Sequence, residues 1–236
     1  MTTHVAGETD SGRPAPGAIL ARIASAIGIA TEGVAMSLGL AVVGIVLIIL
    51  GLKSIGAILV ILAIPIALFF RDPERFPPRT ENVVISGADG KVTDISDASF
   101  PGSTGRLYHR VSVFMSPLNV HVNRAPVGGE VVMVEHTAGE FRAAFRDDAN
   151  EHNERNLIAM TDTSGRMFGM LQVAGYLARR IVCRLRAHDR IQPGQRIGLI
   201  MFGSRVDHFF PAEYRVAVSV GDRVRAGESI IGAIDQ

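Results

Sequence analysis

The chain has 236 residues, which is enough for one core of ordinary size and an appendage. A formal net charge of +1 argues against a nucleic-acid or polyanion binder. Lys53 and Lys91 are the only lysines, so any chemistry that needs a lysine has two candidate positions. The single cysteine, Cys183, excludes an internal disulfide framework and a zinc site built from several cysteines.

The N-terminal region consists of a polar segment followed by a segment with apolar side chains at helical spacing. Residues 1–17 are polar and rich in Pro and Gly, which predicts a disordered tail, and they lack the order of regions found in a signal peptide. Residues 19–31 carry apolar side chains at roughly helical spacing, which is typical of an amphipathic helix at a membrane surface.

Two long apolar runs follow, at residues 34–52 and 55–70. The first can cross a hydrocarbon core of about 30 Å, whereas the second reaches roughly 24 Å and contains Pro65. Apolar residues cover every face of both runs, which disfavours a buried hairpin in a soluble core. Residues 18–71 are therefore predicted to form the amphipathic helix and a membrane hairpin that either spans the bilayer or dips into it.

The charges around the hairpin predict its orientation. Arg22 precedes it and Arg71, Arg75 and Arg79 follow it, whereas Lys53 alone lies at its tip. The positive-inside rule then places both ends, and the domain that follows, on the cytoplasmic side of the plasma membrane.

From residue 83 onward the sequence consists of short β-type runs separated by Gly, Asn, Asp or Pro. Segments 187–200 and 218–232 both have a strand, turn, strand pattern similar to the hairpins of biotinyl/lipoyl barrel-sandwich domains. The predicted fold class is mainly β, with twisted antiparallel sheets, barrel-sandwich-like hairpins and the N-terminal membrane helical hairpin. Residues 72–236 are expected to form one β domain after the hairpin.

Three polar features lie beside apolar runs: Asp89 in "GADG", His121 in "NVHVN" and the pair Gly203-Ser204. Each alone has an ordinary structural explanation, as a turn aspartate, a satisfied strand histidine and a strand bend. Together they are the elements of an activated hydroxyl. No glycine or helix follows the serine, so it is not a nucleophile elbow. Because Gly203 has no Cβ, the Ser204 oxygen could attack the carbonyl carbon of Gly203 in its own backbone.

Six motifs, taken together, indicate a particular protein family. In chain order the motifs are "FFRDPERFPP" (69–78), "GADGKV" (87–92), "FMSPLNVHVNRAPVGGEV" (114–131), "NERN" (153–156), "ARRIVC" (178–183) and "FGSRVD" (202–207). In this order they resemble the short form of the phosphatidylserine decarboxylase proenzyme family, over about residues 55–235. The resemblance implies that residues 72–236 are the catalytic decarboxylase domain.

The resemblance implies self-cleavage between Gly203 and Ser204 into a β chain of residues 1–203 and an α chain of 204–236. The N-terminal Ser204 of the α chain would become a pyruvoyl cofactor, which acts as an electron sink as pyridoxal phosphate does elsewhere. The implied reaction converts phosphatidylserine to phosphatidylethanolamine and CO2, and needs neither a lysine nor a metal. The implied assembly is a heterodimer of the two cleaved chains, dimerised further.

Residue roles follow from the same resemblance. Ser204 is the nucleophile and pyruvoyl source, His121 the general base and proton relay, and Asp89 the carboxylate that orients His121. Arg124 stands where longer family members have a second histidine, and Arg205 replaces a threonine beside the cleavage site. Both arginines are candidates for contact with the substrate phosphate or carboxylate, and Arg205 is alternatively a surface strand residue.

Two other functions are open to such a sequence. A membrane-tethered carrier or adaptor domain would need a lysine at a β-turn tip, and Lys91 matches poorly. A membrane metallopeptidase would need converging histidines, but no H-E-x-x-H or H-x-H pattern occurs. The motifs indicate recognition of the serine head group and do not determine the lipid tails, so an archaeal-type ether serine lipid is an alternative substrate.

Overall fold

The computed structural model describes residues 24, 26–100, 102–103, 105–139, 153–175, 180–201 and 204–234. The predicted tail at 1–17, residues 19–23 and 25 of the predicted amphipathic helix, and Gly203 of the cleavage pair lie outside the described residues.

Two apolar helices begin the described chain, α1 (Thr31–Ile49) and α2 (Lys53–Phe69). By length and composition α1 could cross a membrane, because its mean hydropathy is 2.3 and only 17% of its apolar stretch is buried. At 17 residues, α2 is shorter, and it continues through Pro65. Both helices expose large aliphatic side chains outward, as a bilayer would require and water would not favour.

Glycines allow the two helices to pack closely. A Cβ added to Gly44 of α1 would lie 2.7 Å from the carbonyl oxygen of Gly56 in α2. Small residues at such a crossing let two backbones approach, which is the usual packing device between membrane helices. The chain reverses through residues 50–52, so the helices form the expected hairpin.

The open end of the hairpin is fastened to the rest of the chain. The Ala30 N–H donates to the Phe70 carbonyl at 2.8 Å, and the Asp72 N–H donates to the Gly28 carbonyl at 2.6 Å. Arg184 of the β domain forms an ion pair of 2.9 Å with Glu32 in the first turn of α1. The hairpin therefore has defined contacts with the domain that carries the site.

Antiparallel strands make up the remainder of the described structure. The largest sheet has eight strands in the order β13-β2-β3-β11-β7-β6-β5-β9. Their bounds are β2 (Gly90–Ala98), β3 (Tyr108–Met115), β5 (Gly129–Thr137), β6 (Arg155–Thr161), β7 (Met167–Val173), β9 (Arg190–Ile191), β11 (Ser204–Pro211) and β13 (Arg223–Val224).

Two three-stranded sheets complete the described domain, in the orders β1-β14-β12 and β4-β10-β8. Their strands are β1 (Val83–Ile85), β4 (Val122–Arg124), β8 (Ile181–Cys183), β10 (Arg196–Ile200), β12 (Arg215–Val216) and β14 (Ile230–Ala233). Aliphatic and aromatic side chains from all three sheets form the main core, among them Val113, Met170, Ile200, Phe210 and Ile231. The predicted mainly β, antiparallel fold is confirmed.

Strand β11 determines where the site lies. It runs antiparallel between β3 and β7, and its first residue, Ser204, pairs with Met115 at the end of β3. The end of α2 packs against the same region, where Phe69 and Phe70 join a small apolar cluster with Val120, Val122 and Leu199. The start of β11 is thus close to the base of the helical hairpin.

Candidate active site

Ser204 is buried at the beginning of β11, with 0% of its surface exposed. Its Oγ lies 3.5 Å from the Met115 sulfur, which is a weak acceptor. The hydroxyl therefore has no strong hydrogen-bond acceptor among the described residues. A buried hydroxyl in this state is available to give its proton to a base.

His121 lies between the 116–119 turn and β4, and it is also buried. Its ring stacks on Phe69, the last residue of α2, at a centroid distance of 4.2 Å. Nδ1 lies 2.9 Å from the Asn119 carbonyl oxygen, which can only accept a hydrogen bond, so Nδ1 carries the proton. Nε2 is buried without a hydrogen-bond partner in the described structure and keeps its lone pair.

The environment of His121 favours the neutral ring. Burial, reinforced by the positive charge of Arg71 and partly offset by the Asn119 carbonyl, lowers the pKa of His121 from 6.5 to about 4. The imidazole is therefore uncharged at physiological pH, with a free basic nitrogen, which is the form that a general base needs.

Backbone pairing brings the segments of Ser204 and His121 together. The strand β3 that pairs with Ser204 leads directly into the 116–119 turn before His121. On the other side, the Ile200 N–H donates to the His121 carbonyl at 3.2 Å, four residues before Ser204. Both predicted residues thus lie at the same edge of the domain, beside the end of α2.

Asp89 is held by a loop that has no room for side chains at its glycines. A Cβ on Gly87 would lie 2.7 Å from the Arg124 carbonyl oxygen, and one on Gly90 would clash with the Phe114 carbonyl. This close backbone approach explains the "GADG" motif. The Asp89 carboxylate accepts a hydrogen bond of 2.7 Å from the Ala226 N–H and forms an ion pair of 3.1 Å with Arg75.

The described hydrogen bonds do not join Asp89 to His121. Asp89 is occupied by Arg75 and Ala226, and the orienting acceptor on His121 is the carbonyl of Asn119. Burial raises the pKa of Asp89, and the Ala226 N–H and the Arg75 charge act in the opposite direction. The role predicted for Asp89 as the partner of His121 stays a prediction.

The two arginines considered for substrate contact are both buried. Arg124 donates to the Gly194 and Pro73 carbonyls and forms an ion pair of 3.1 Å with Asp72. Arg205 is directed to Asp207, two residues along β11 on the same face of the strand, at 2.9 Å. Each is engaged in the protein interior, so substrate contact by either stays a prediction without support from these contacts.

Sequence reasoning missed a chain of buried amides beside Ser204. Asn156 donates to Gln172 at 2.9 Å, Gln172 donates to Asn123 at 2.8 Å, and Asn123 lies 3.7 Å from the Met115 sulfur. All three amides are essentially inaccessible to solvent. The sequence shows only that uncharged polar residues occur inside apolar strands. The hydrogen bonds between them join three different strands, so they depend on how those strands are arranged in the fold.

A second buried histidine was also missed. His208 of β11 accepts a hydrogen bond of 2.8 Å from the Gly87 N–H at Nε2 and donates from Nδ1 to the Val111 carbonyl at 3.2 Å. Burial lowers the pKa of His208 to about 4. It is a neutral residue that holds the Asp89 loop against the sheet.

The fold and these contacts define a class of protein. A buried serine hydroxyl and a neutral histidine with a free nitrogen lie at the same edge as two apolar helices, one of which is long enough to cross a membrane, and together they form a candidate enzyme site. Among the described residues, no group of three His, Cys, Asp or Glu side chains could hold a metal ion.

Comparison with known proteins identifies the family. The family model described as phosphatidylserine decarboxylase matches residues 62–232. The chain is 48% identical over 166 residues to a phosphatidylserine decarboxylase proenzyme of Desulfotalea psychrophila, covering 70% of this chain and 78% of that protein. It is 50% identical over 164 residues to the proenzyme of Chlorobium chlorochromatii, covering 70% and 76%. For the proenzyme of Mycolicibacterium smegmatis the identity is 43% over 171 residues, covering 71% and 74%.

The chain belongs to the phosphatidylserine decarboxylase family. It is an enzyme of the carboxy-lyase type, and the resemblance to the short form of the family is confirmed. The carrier and metallopeptidase alternatives are therefore wrong.

Proposed function

We propose that this enzyme is a pyruvoyl-dependent phosphatidylserine decarboxylase that makes its cofactor by self-cleavage between Gly203 and Ser204. The observation that carries the proposal is the pair of buried groups at the base of the hairpin. Ser204 Oγ has no strong acceptor among the described residues, and His121 Nε2 is unprotonated and unpartnered.

Self-cleavage begins with the transfer of the Ser204 hydroxyl proton to His121 Nε2. The oxygen then attacks the carbonyl carbon of Gly203, and breakage of the amide C–N bond leaves an ester to the Ser204 side chain and a free amine on Ser204. Removal of the Ser204 Cα proton breaks the Cβ–O bond, which releases the Gly203 carboxylate and leaves dehydroalanine. Tautomerisation and addition of water release ammonia and leave the pyruvoyl group.

When formed, the pyruvoyl group supplies an electrophilic carbonyl that binds the substrate amine and withdraws electrons as CO2 leaves. The chain's own residues supply the rest. His121 exchanges a proton at Nε2, and the burial of Ser204 and His121, with Phe69 stacked on the imidazole, limits the access of water to the reacting centre. The charge of Arg71 beside His121 helps to keep the ring neutral between turnovers.

Strand pairing would hold the cleaved chains together. After cleavage the α chain retains β11, which pairs along its length with β3 and over most of its length with β7 of the β chain. It also retains β13, paired with β2, and β14, paired with β1. The two chains would therefore stay associated as a heterodimer, and further dimerisation stays a prediction.

The apolar hairpin supports membrane association. The apolar faces of α1 and α2 point outward, and Phe69 at the end of α2 contacts His121 directly. This arrangement would put the reacting centre at the head-group level, where a substrate that cannot leave the bilayer can reach it. The arginines that follow the hairpin favour the cytoplasmic side of the plasma membrane.

The test is an intact mass of the purified full chain in detergent, compared with Ser204→Ala. The wild type should give two fragments, residues 1–203 and 204–236, with the smaller one blocked to N-terminal sequencing. Ser204→Ala should remain a single chain and should release no CO2 from phosphatidylserine.

Folding is the control for that comparison. Circular dichroism of Ser204→Ala should match the wild type, because the substitution removes only a hydroxyl whose contact is the Met115 sulfur. A wild-type sample that is folded and active on phosphatidylserine but uncleaved would refute the pyruvoyl mechanism while leaving the family assignment intact.

A further inference from the structure

Most of the arginines near the site are neutralised by carboxylates. Arg75 forms ion pairs with Asp89 at 3.1 Å and Glu228 at 2.7 Å. Arg124 pairs with Asp72, as described above. These guanidinium groups connect the segment after the hairpin to the β domain, so their charge is already used within the protein.

Arg71 differs from both. It follows α2 by two residues, is partly exposed, and donates to the carbonyl oxygens of Leu68, at 3.0 Å, and Leu118. Within the part of the chain that the structure describes, it has no carboxylate partner. Two backbone carbonyls hold the guanidinium in place but leave its positive charge uncompensated.

The location of Arg71 suits a lipid head group. Its charge contributes to the lowered pKa of His121 and opposes the rise that burial causes in the pKa of Asp89, so it lies within electrostatic range of both predicted site residues. Leu118, whose carbonyl it binds, is 84% exposed at the tip of the 116–119 turn. An exposed leucine beside an unpaired arginine, next to an apolar helix end, is the pattern of a surface that meets the boundary between head groups and acyl chains.

We propose that Arg71 binds the phosphate of the substrate head group, while Leu118 contacts the acyl region beside it. This inference rests on the proposed function. It makes Arg71, rather than Arg124 or Arg205, the residue that holds the anionic end of the lipid.

The phosphate is favoured over the carboxylate by the chemistry of the reaction. The carboxylate loses its charge as CO2 forms, so a cation bound to it would stabilise the substrate more than the transition state and slow the reaction. The phosphate keeps its charge throughout, and binding it adds affinity without this penalty. A planar guanidinium is also well suited to phosphate oxygens.

The first experiment compares Arg71→Gln, Arg71→Lys and Arg79→Gln in mixed micelles at pH 8. Arg79 is an exposed arginine on the same segment, so its replacement makes the same charge change away from the site. Arg71→Gln should raise KM about 10- to 100-fold and change kcat by less than about threefold. Arg71→Lys should fall between it and the wild type, and Arg79→Gln should be close to the wild type.

A second experiment separates phosphate from carboxylate. Dihexanoyl phosphatidic acid carries the phosphate without serine, and N-lauroyl serine carries a carboxylate without phosphate. Arg71→Gln should lose inhibition by the first and retain inhibition by the second. The opposite result would overturn the phosphate assignment.

Each variant is first checked for its two fragments and for wild-type circular dichroism. Cleaved and folded Arg71→Gln with an unchanged KM would overturn the proposal and leave Arg71 as a support for the 116–119 turn. Failure of the wild type to cleave would count against the pyruvoyl mechanism instead, so the two failures are distinguishable.

Discussion

The low pKa of His121 predicts an unusual pH dependence for self-cleavage. Burial, the larger cause, and the charge of Arg71 lower this pKa from 6.5 to about 4. In the proposed self-cleavage, protonation of Nε2 removes the lone pair that would accept the Ser204 proton, so cleavage should slow only as the pH falls through about 4. At pH 5.5 an ordinary histidine is roughly 9% neutral, whereas His121 is roughly 97% neutral.

The cleavage rate at pH 5.5 should therefore stay within about twofold of the rate at pH 8, where an ordinary histidine would give about a tenfold loss. The proenzyme can be made by cell-free synthesis into nanodiscs at low temperature and shifted to buffers between pH 5 and 8.5. Cleavage is then followed on a denaturing gel. A half-maximal rate near pH 6.5 would refute the claim that the base is a buried neutral histidine.

The stability of the folded chain limits how low the pH of the cleavage assay can be. The pKa values of His121 and His208 are both lowered to about 4 in the folded chain, so the unfolded chain binds protons first as the pH falls below 6.5. Each histidine should reduce the free energy of unfolding by about 1 kcal/mol at pH 5.5, and by about 3 kcal/mol below pH 4. Circular dichroism at each pH shows whether the chain is still folded.

Arg71→Gln is a control for the cleavage experiment. It should raise the pH at which the cleavage rate is half-maximal, because one cause of the lowered pKa of His121 is removed.

Two further predictions concern packing. Gln172→Leu should leave Asn123 and Asn156 without their buried partner, at a cost of about 1–3 kcal/mol for each unsatisfied group. The expected result is a lower Tm and slower cleavage, and an unchanged Tm would show that the amide chain is not needed for stability. Gly44→Leu should open the helical hairpin and lower the Tm in nanodiscs, whereas Gly39→Leu should be tolerated because a Cβ there meets nothing within 4 Å; equal effects would contradict close packing at Gly44.

Part of the candidate site could be proposed from the sequence because it depends on local pattern. The glycine before Ser204 makes attack on the preceding carbonyl possible, and the order of the six motifs is visible in the chain itself. The contacts of the site could not be predicted in this way. His121 is oriented by the carbonyl of Asn119, and the Asp89 carboxylate is bound to Arg75, because backbone groups compete for partners once the loops are packed.

The arginines near the site also show the difference between what the sequence reveals and what only the structure reveals. Arg71, Arg75 and Arg124 are equivalent by charge in the sequence, and only packing shows which of them has an acidic partner. The ion pairs join residues 14 or more positions apart in the chain. Charge composition therefore does not reveal which cation remains available to an anionic lipid.

By itself, the sequence determined the apolar hairpin, the short antiparallel strands and the family, because hydropathy, side-chain period and contiguous motifs are properties of neighbouring residues. Only the tertiary structure decided that β11 inserts between β3 and β7 and that Phe69 stacks on His121. Strand order and side-chain partnership arise from pairing between segments far apart in the chain, where several registers share the same local pattern and burial of a common core selects one.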